Sequence, residues 1–278
     1  MQPLSKFKRR LYLYGLITVF IVCLPPVMFY ANGYRFKSDL GFVKTGSIII
    51  SVSGAGARVS VDGEEVGTSG FLRHNFYVDN LTPGSYMVDV VREGDYSWHR
   101  ELVVEQEIVT DAQALLVPKV STPVRLFDAT KVASTTPAIP HATYEAYRAA
   151  FVPSKATSTF ALFAPKTDNE TIAVTQGDIV VFWNRKDVIP PGYFCIRPSS
   201  CADEILVERG SEQAIRGEFF DGAVVYATKE GGVFLAEKDV RPTPIFVPLY
   251  PVGGADFRII DGHLIVKDGT ALYEITGL

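Results

Sequence analysis

The chain has 278 residues, of which 47% are hydrophobic and 21% charged, and its formal net charge at pH 7 is -4. This balance excludes wholesale disorder, which combines few apolar residues with a large net charge. No domain is strongly basic, so we expect no nucleic-acid partner, and the length suits one membrane segment with two small domains.

An apolar run without charged residues occupies positions 11–31 and follows a basic tail at 1–10. A run of this length can cross a hydrocarbon core about 30 Å thick as an α-helix. We therefore predict a transmembrane helix that contacts the lipid bilayer through residues 11–31. Four Lys and Arg residues precede the run. The positive-inside tendency then predicts a single-pass protein of the cell membrane, with a cytoplasmic N-terminus and extracytoplasmic C-terminal domains.

A cleaved signal peptide is the alternative interpretation of this segment, because it also combines a basic tail with an apolar run. A signal peptide ends in small residues at its cleavage site. Here Phe29 and Tyr30 place bulky rings before Ala31. The sequence therefore favours an uncleaved anchor.

Short apolar stretches separated by turn residues fill positions 45–118, a pattern typical of a small β-sandwich. Asp62-Gly63 is a hairpin turn signal, since glycine adopts positive φ without penalty. Trp98 is the largest candidate for the core. About seven strands are predicted, at 46–54, 57–63, 64–67, 71–78, 85–92, 101–107 and 112–117.

The same segment resembles the PEGA domain, a β-sandwich module of bacterial and archaeal cell-envelope proteins. It departs from that family at Gly54-Ala55, where Pro-Glu is usual, and its segment 70–80 is longer than the short stretch expected there in the family. The resemblance implies an interaction or scaffold role in the envelope and brings no catalytic residue. The matching positions are Gly56-Ala57, Asp62-Gly63, Gly67, Leu81, Pro83-Gly84, Tyr86, Val88, Val90, Gly94, Tyr96 and Trp98.

Residues 119–158 are rich in Ser, Thr and Pro. This composition suits a linker, or an extended segment packed on neighbouring surfaces. Positions 142–151 could form a short helix with Tyr144, Tyr147 and Phe151 on one side.

The C-terminal segment 159–278 is predicted to be a β-hairpin array. Its hairpins recur at intervals of roughly 40 residues, as in propeller blades, but three such units are too few for a closed propeller. The predicted fold class is therefore mainly β: a transmembrane helix, a PEGA-like sandwich and a region resembling a partial propeller. A small β-sheet array, a part completed by a partner, and an irregular β-domain remain open.

Cys195 and Cys201 lie six positions apart in a loop-like stretch. In an oxidising compartment this pair predicts a local disulfide, and the alternative is two free thiols. Cys23 lies in the apolar run, where a thiol behaves as a small hydrophobe.

Motifs for catalysis, cofactors and metals are missing from the sequence: it contains no nucleophile elbow, P-loop or His-Glu-x-x-His. We therefore predict no catalytic, cofactor or metal residue, and no enzyme. Trp98 with His99, and Trp183 with Arg185, are candidate contacts for a ligand or polymer, because an aromatic face beside polar groups can stack on a ring. A buried core tryptophan is the more usual alternative.

The sequence favours a membrane-anchored envelope protein whose exported β-domains bind a protein partner or a surface or wall polymer. One alternative is an envelope glycan hydrolase whose carboxylates are gathered by the fold, with Asp203, Glu204 and Asp221 as candidates. Another is a sensor or assembly subunit that pairs an exposed strand edge with another chain.

Overall fold

A computed structural model describes residues 6–37, 41–131, 138–152, 169–207, 212–239, 241–242 and 244–278. Within these residues the chain is mainly β, with one long N-terminal α-helix, one short α-helix in the C-terminal unit and a single 3-10 turn at Gly192–Phe194. The predicted strand at 159–165 lies outside the described residues.

Helix α1 spans Lys6–Ala31 and contains the predicted span 11–31. None of its residues is buried against the rest of the protein. By length and composition it is able to cross a membrane, a test that a signal sequence near an N-terminus also passes. At about 1.5 Å per residue its 26 residues reach about 39 Å, more than a bilayer core.

A short hairpin that the sequence did not predict follows α1. Its strands are β1 (Tyr34–Lys37) and β2 (Gly41–Lys44), which pair antiparallel. The sequence carries no clear signal for this hairpin, because a strand of four residues is too short to show a hydrophobic periodicity.

Seven strands then form two sheets around one core, as the sequence predicts for a sandwich. One sheet has the order β6-β3-β9, with β3 and β9 parallel, and the other β5-β4-β7-β8. Trp98 is fully buried in the shared core, which confirms its predicted position. The strands are β3 (Gly46–Val52), β4 (Arg58–Val61), β5 (Glu64–Thr68), β6 (Asn75–Leu81), β7 (Gly84–Val91), β8 (Trp98–Val104) and β9 (Val109–Ala114).

Three predicted strands are displaced in the structure, and the one expected at 101–107 runs from Trp98 to Val104. The strand expected at 71–78 begins at Asn75, because Gly70 donates its N–H to the Arg73 carbonyl at 3.0 Å and closes a turn. That turn leaves Phe71 and Leu72 exposed. The strand expected at 112–117 is shifted to Val109–Ala114, where it pairs with β3.

The C-terminal unit consists of antiparallel sheets, which confirms a hairpin array. The described residues form no closed propeller. The sheet orders are β11-β12-β15, β16-β17-β18-β19 and β10-β22-β21-β20, with a small β13-β14 pair. The strands are β10 (Thr122–Leu126), β11 (Glu170–Thr175), β12 (Asp178–Trp183), β13 (Cys195–Arg197), β14 (Ser200–Cys201), β15 (Glu204–Val207), β16 (Ala214–Phe220), β17 (Ala223–Thr228), β18 (Gly232–Ala236), β19 (Phe246–Tyr250), β20 (Asp256–Ile260), β21 (His263–Asp268) and β22 (Ala271–Thr276).

Turn chemistry explains the register of several hairpins. In Asp62-Gly63 both residues have positive φ, 49° and 81°, and Asp261-Gly262 has 50° and 81°. Positive φ at both central positions defines the type I′ turn, whose twist matches that of the strands. The predicted turn at Asp62-Gly63 is therefore confirmed, and Asp261-Gly262 forms a second turn of the same type.

The predicted linker 119–158 contributes structure to the last sheet. Strand β10 pairs antiparallel with β22 over its whole length. Helix α2 (His141–Ala150) buries Tyr147, and Phe151 behind it, in one cluster with residues of β21 and β22. The described parts of this segment, 119–131 and 138–152, thus pack on their neighbours, as in the second alternative that its composition left open.

Asp128 links the end of β10 to the start of α2. Its Oδ1 accepts hydrogen bonds from the Thr130 N–H at 3.0 Å and the Thr130 hydroxyl at 2.8 Å. Its Oδ2 lies 2.9 Å from Nδ1 of His141. These bonds, led by the backbone N–H, hold the pKa of the Asp128 carboxyl well below its usual range.

We expect Asp128→Asn to destabilise the protein at neutral pH. Because the folded state lowers the pKa of Asp128, the carboxylate contributes stability above its ordinary value of 3.8 and loses that contribution as the pH falls below it. Thermal unfolding of the full chain in detergent, from about pH 7 to about pH 3, should show the gap between variant and parent closing on acidification.

The control is Glu101→Gln, which makes the same chemical change at an exposed position of β8. A gap for Asp128→Asn that stays constant with pH would contradict the proposed role of the charge.

Candidate interdomain binding cleft

Strand β8 carries the contacts that join the sandwich to the C-terminal unit. Trp98, Arg100, Leu102 and Val104 alternate with more exposed residues, so their side chains share the buried face. At the end of this face the Trp98 indole donates to Oε1 of Glu237 at 2.8 Å, and the Arg100 guanidinium donates to Oε2.

The segment after β18 supplies the opposite side of this contact. Oε2 of Glu237 also accepts the Ile245 N–H at 2.9 Å, and Oδ2 of Asp239 lies 3.8 Å from Nε of Arg100. Arg241 forms a fork with Asp239 and donates to the Asp111 carbonyl of β9 at 3.0 Å. Both sheets of the sandwich are therefore bonded to one short segment of the C-terminal unit.

A third cation lies next to this segment. Nζ of Lys238 is 2.8 Å from Oε2 of Glu170 and 4.4 Å from the centre of the Tyr193 ring. The Tyr193 hydroxyl donates to Oε1 of Glu170 at 2.8 Å. Burial and the charge of Glu170 raise the pKa of Tyr193, so its phenol stays protonated and remains a donor.

We call these six charged residues the junction cluster: Arg100, Glu170, Glu237, Lys238, Asp239 and Arg241. Each is at most 8% exposed, and three carry each sign of charge. Burying a charged group costs free energy unless an ion of opposite sign pairs with it. The equal numbers of cations and anions are therefore a condition for packing these residues together. Burial raises the pKa of Glu237 even though Arg100 opposes the effect.

A cleft of about 210 Å³ lies between the two units beside the junction cluster. Its rim is apolar, and Ile189 and Ile196 are 80% and 68% exposed. Asp111 and Arg241 supply its charged groups. The lining residues are Val103, Val109, Thr110, Asp111, Ile189, Pro190, Pro191, Gly192, Cys195, Ile196, Pro198, Cys201 and Arg241.

A disulfide forms one wall of the cleft. Cys195 and Cys201 are bonded, with an S–S distance of 1.95 Å, and they lie opposite each other in the β13-β14 pair. The predicted disulfide is thus present.

The same wall packs closely on the sandwich at Gly192. A Cβ on this residue would lie 2.1 Å from the Asp111 carbonyl oxygen, so only glycine fits there.

The four predicted ligand contacts are not brought together. The Trp98 ring is buried and offers no face for stacking, and His99 on the other face of β8 pairs with Asp89 at 2.6 Å. Trp183, at the end of β12, donates to the Val188 carbonyl at 3.0 Å. The exposed Arg185 pairs with Asp187, which raises the pKa of the guanidinium.

The candidate hydrolase carboxylates lie on different elements and do not line one cavity together. Asp203 and Glu204 are exposed at the start of β15, whereas Asp221 lies in the β16-β17 turn. Asp221 lines a second, smaller cavity with Glu237 and Asp239, and neither Asp203 nor Glu204 contributes to it.

One cluster of potential ligand atoms was missed by the sequence analysis. Side-chain atoms of Asp128, His141 and Glu145 lie within 4.8 Å of one another. The available signal was the four-residue spacing of His141 and Glu145 at the start of the helix predicted at 142–151, which the structure begins one residue earlier, at His141. The hydrogen bonds of Asp128 described above account for this arrangement as a structural contact.

No protein-family model matches the chain, and no curated protein matches it.

Removing one partner of the junction cluster should be costly. Arg100→Met leaves Glu237 and Asp239 buried with one cation fewer, and we expect a loss of about 3–5 kcal/mol in the free energy of unfolding. Chemical denaturation of the full chain in detergent measures it. Arg100→Met combined with Glu237→Gln should recover part of the loss, because the charges are again balanced.

Arg58→Met is the matched control, since Arg58 and Glu65 form a largely exposed pair at 3.9 Å. Such pairs contribute about 0–1 kcal/mol. If Arg100→Met cost no more than Arg58→Met, the junction cluster would not hold the units together.

Proposed function

We propose that the protein is a single-pass membrane-anchored envelope protein whose exported β-rich body binds an extended segment of a protein partner in the interdomain cleft. The observation that carries this proposal is the cleft itself, a groove with an apolar rim between two units whose relative position is held by the buried contacts of Arg100 with Glu237 and Asp239. A groove that is formed before binding loses little entropy when a ligand enters it.

Two observations support the anchor and its orientation. Helix α1 exposes a continuous apolar surface, which only lipid or another apolar partner can cover favourably. The Cys195–Cys201 disulfide suits an oxidising compartment outside the cytoplasm. Together with the basic tail, they favour a cytoplasmic N-terminus and an exported body.

The chemistry of the cleft favours a protein over a polymer of sugars. Its lining combines proline and isoleucine side chains with Asp111 and Arg241, groups that accept apolar side chains and backbone polar atoms of a peptide. The residues that line it include no aromatic ring on which a sugar could stack.

The resemblance to the PEGA domain supports the same role. The matching positions Asp62-Gly63 occupy a turn, Pro83-Gly84 lie where the chain bends into β7, and Val88, Val90 and Trp98 are buried core residues. These are fold residues, as a scaffold or interaction module requires.

Strand pairing with another chain is a second candidate function. Strand β15 lies at the edge of its sheet, and Leu206 on it is 62% exposed. An edge strand offers backbone donors and acceptors to an incoming strand.

Thiol labelling in cells tests the topology. After acid quenching and denaturation of cells that express the full chain, a thiol-reactive mass tag should modify Cys23 alone, and all three cysteines only after reduction. Labelling of Cys195 and Cys201 without reduction would contradict export.

Cys23→Ser is the control, since it should abolish the label seen before reduction. Loss of the Cys23 label in the parent chain would instead show that the N-terminal segment is cleaved.

Photo-crosslinking tests the cleft. A photoreactive amino acid at position 196 should give discrete protein adducts in intact cells, and Ile189→Asp should reduce them by charging the apolar rim. Position 120 is the control, because Val120 is equally exposed, at 76%, and does not line the cleft.

Adducts at position 206 in place of 196 would favour strand pairing at β15. Adducts at 196 that resist protease would identify a polymer. Equal yields of protein adducts at positions 196 and 120 would contradict the proposed binding site.

A further inference from the structure

The hairpin after α1 has one aromatic face. Phe36 of β1 lies directly opposite Phe42 of β2, and Tyr34 lies opposite Lys44. Because side chains alternate along a strand, Tyr34, Phe36 and Phe42 share one side of this small sheet. Phe36 is 70% exposed and Phe42 is 64% exposed. Leaving two adjacent phenyl rings in water costs free energy that burial of their apolar surface would recover.

These rings continue the apolar surface of the helix. Phe29 of α1 stacks on Phe42 with ring centres 5.7 Å apart, and it meets Tyr34 edge-on at 5.5 Å. Phe42 in turn contacts Phe36 at 5.4 Å. We call the four residues the aromatic ladder: Phe29, Tyr34, Phe36 and Phe42.

The hairpin is bonded to both the helix and the sandwich. The Arg35 guanidinium donates to the Tyr30 carbonyl at 2.9 Å and to Oδ1 of Asn80 on β6 at 2.6 Å. Nζ of Lys44 donates to Glu107 at 2.9 Å, and this bond raises the pKa of Lys44. The ladder therefore keeps a defined position relative to the body.

We propose that the aromatic ladder lies in the headgroup region of the bilayer that holds α1, as a second membrane contact that orients the exported body. The inference rests on the proposed anchor. Lipid is the occupant that the geometry favours, because the ladder is continuous with the apolar surface of α1. Aromatic rings concentrate at membrane interfaces, and the exposed Lys37 at the end of β1 suits phosphate headgroups.

Phe71 provides a matched control within the same chain. It is 89% exposed and lies at the opposite end of β3 from the hairpin, since Val52 bonds to His74 at that end. The seven residues of β3 separate the two sites by roughly 20 Å.

The experiment places tryptophan at each site in the full chain reconstituted into lipid nanodiscs. Phe36→Trp and Phe42→Trp should each add emission at a shorter wavelength than Phe71→Trp, after subtraction of the parent emission from Trp98 and Trp183. Lipids brominated on their acyl chains should quench the added emission at 36 and 42, whereas aqueous iodide should quench it at 71.

Failure of the inference is separable from failure of the anchor. In one contrary outcome, all three variants stay with the nanodiscs while Phe36→Trp and Phe42→Trp show the same emission and quenching as Phe71→Trp. That result would support the anchor and contradict the placement of the hairpin in the interface. Short-wavelength emission without quenching by brominated lipid would place the ladder against protein and would also overturn the inference. A chain that does not associate with nanodiscs would overturn both.

Discussion

The architecture depends on neutralising buried charge between the two β-rich units. Arg100 of the sandwich meets Glu237 and Asp239 of the C-terminal unit where water is excluded. Ions in such a place are tolerated only in balanced, well-bonded sets, so few relative positions of the two units are acceptable. The junction cluster consequently specifies geometry more than it adds stability, and it converts two modules into one body with a defined groove.

The groove follows from that packing. Its walls come from β8 and β9 on one side and from the Pro190-Pro191 segment and the disulfide loop on the other. Gly192 allows this loop to lie directly on β9, and the disulfide keeps the loop short and closed. A groove of this kind has no sequence motif, because its shape is set between two units that are far apart in the chain.

The loop between β8 and β9 connects the groove to the membrane end of the protein. Within it, Glu107 accepts a hydrogen bond from Lys44 of the hairpin, and Glu105 accepts one from the Ser199 N–H of the disulfide loop. Under the proposed topology, a partner in the cleft would therefore lie close to the membrane surface. The anchor, the aromatic ladder and the cleft would then act as one arrangement that presents a site at a defined height and angle.

The sequence by itself determined the features whose physical cause is local. A charge-free run predicted α1, Asp62-Gly63 predicted a hairpin turn, the size of Trp98 made it a candidate for the core, and two cysteines six positions apart predicted the Cys195–Cys201 bond. Only the tertiary structure decided which exposed or charged side chains become buried, because that depends on residues far apart in the chain. Arg100 and Glu237 are 137 positions apart, and although Leu102 and Val104 mark this face of β8 as buried, nothing near Arg100 in sequence indicates which anion will pair with it. Local periodicity reports that a face is apolar or polar, whereas the identity of the surface that covers it is set by the whole fold.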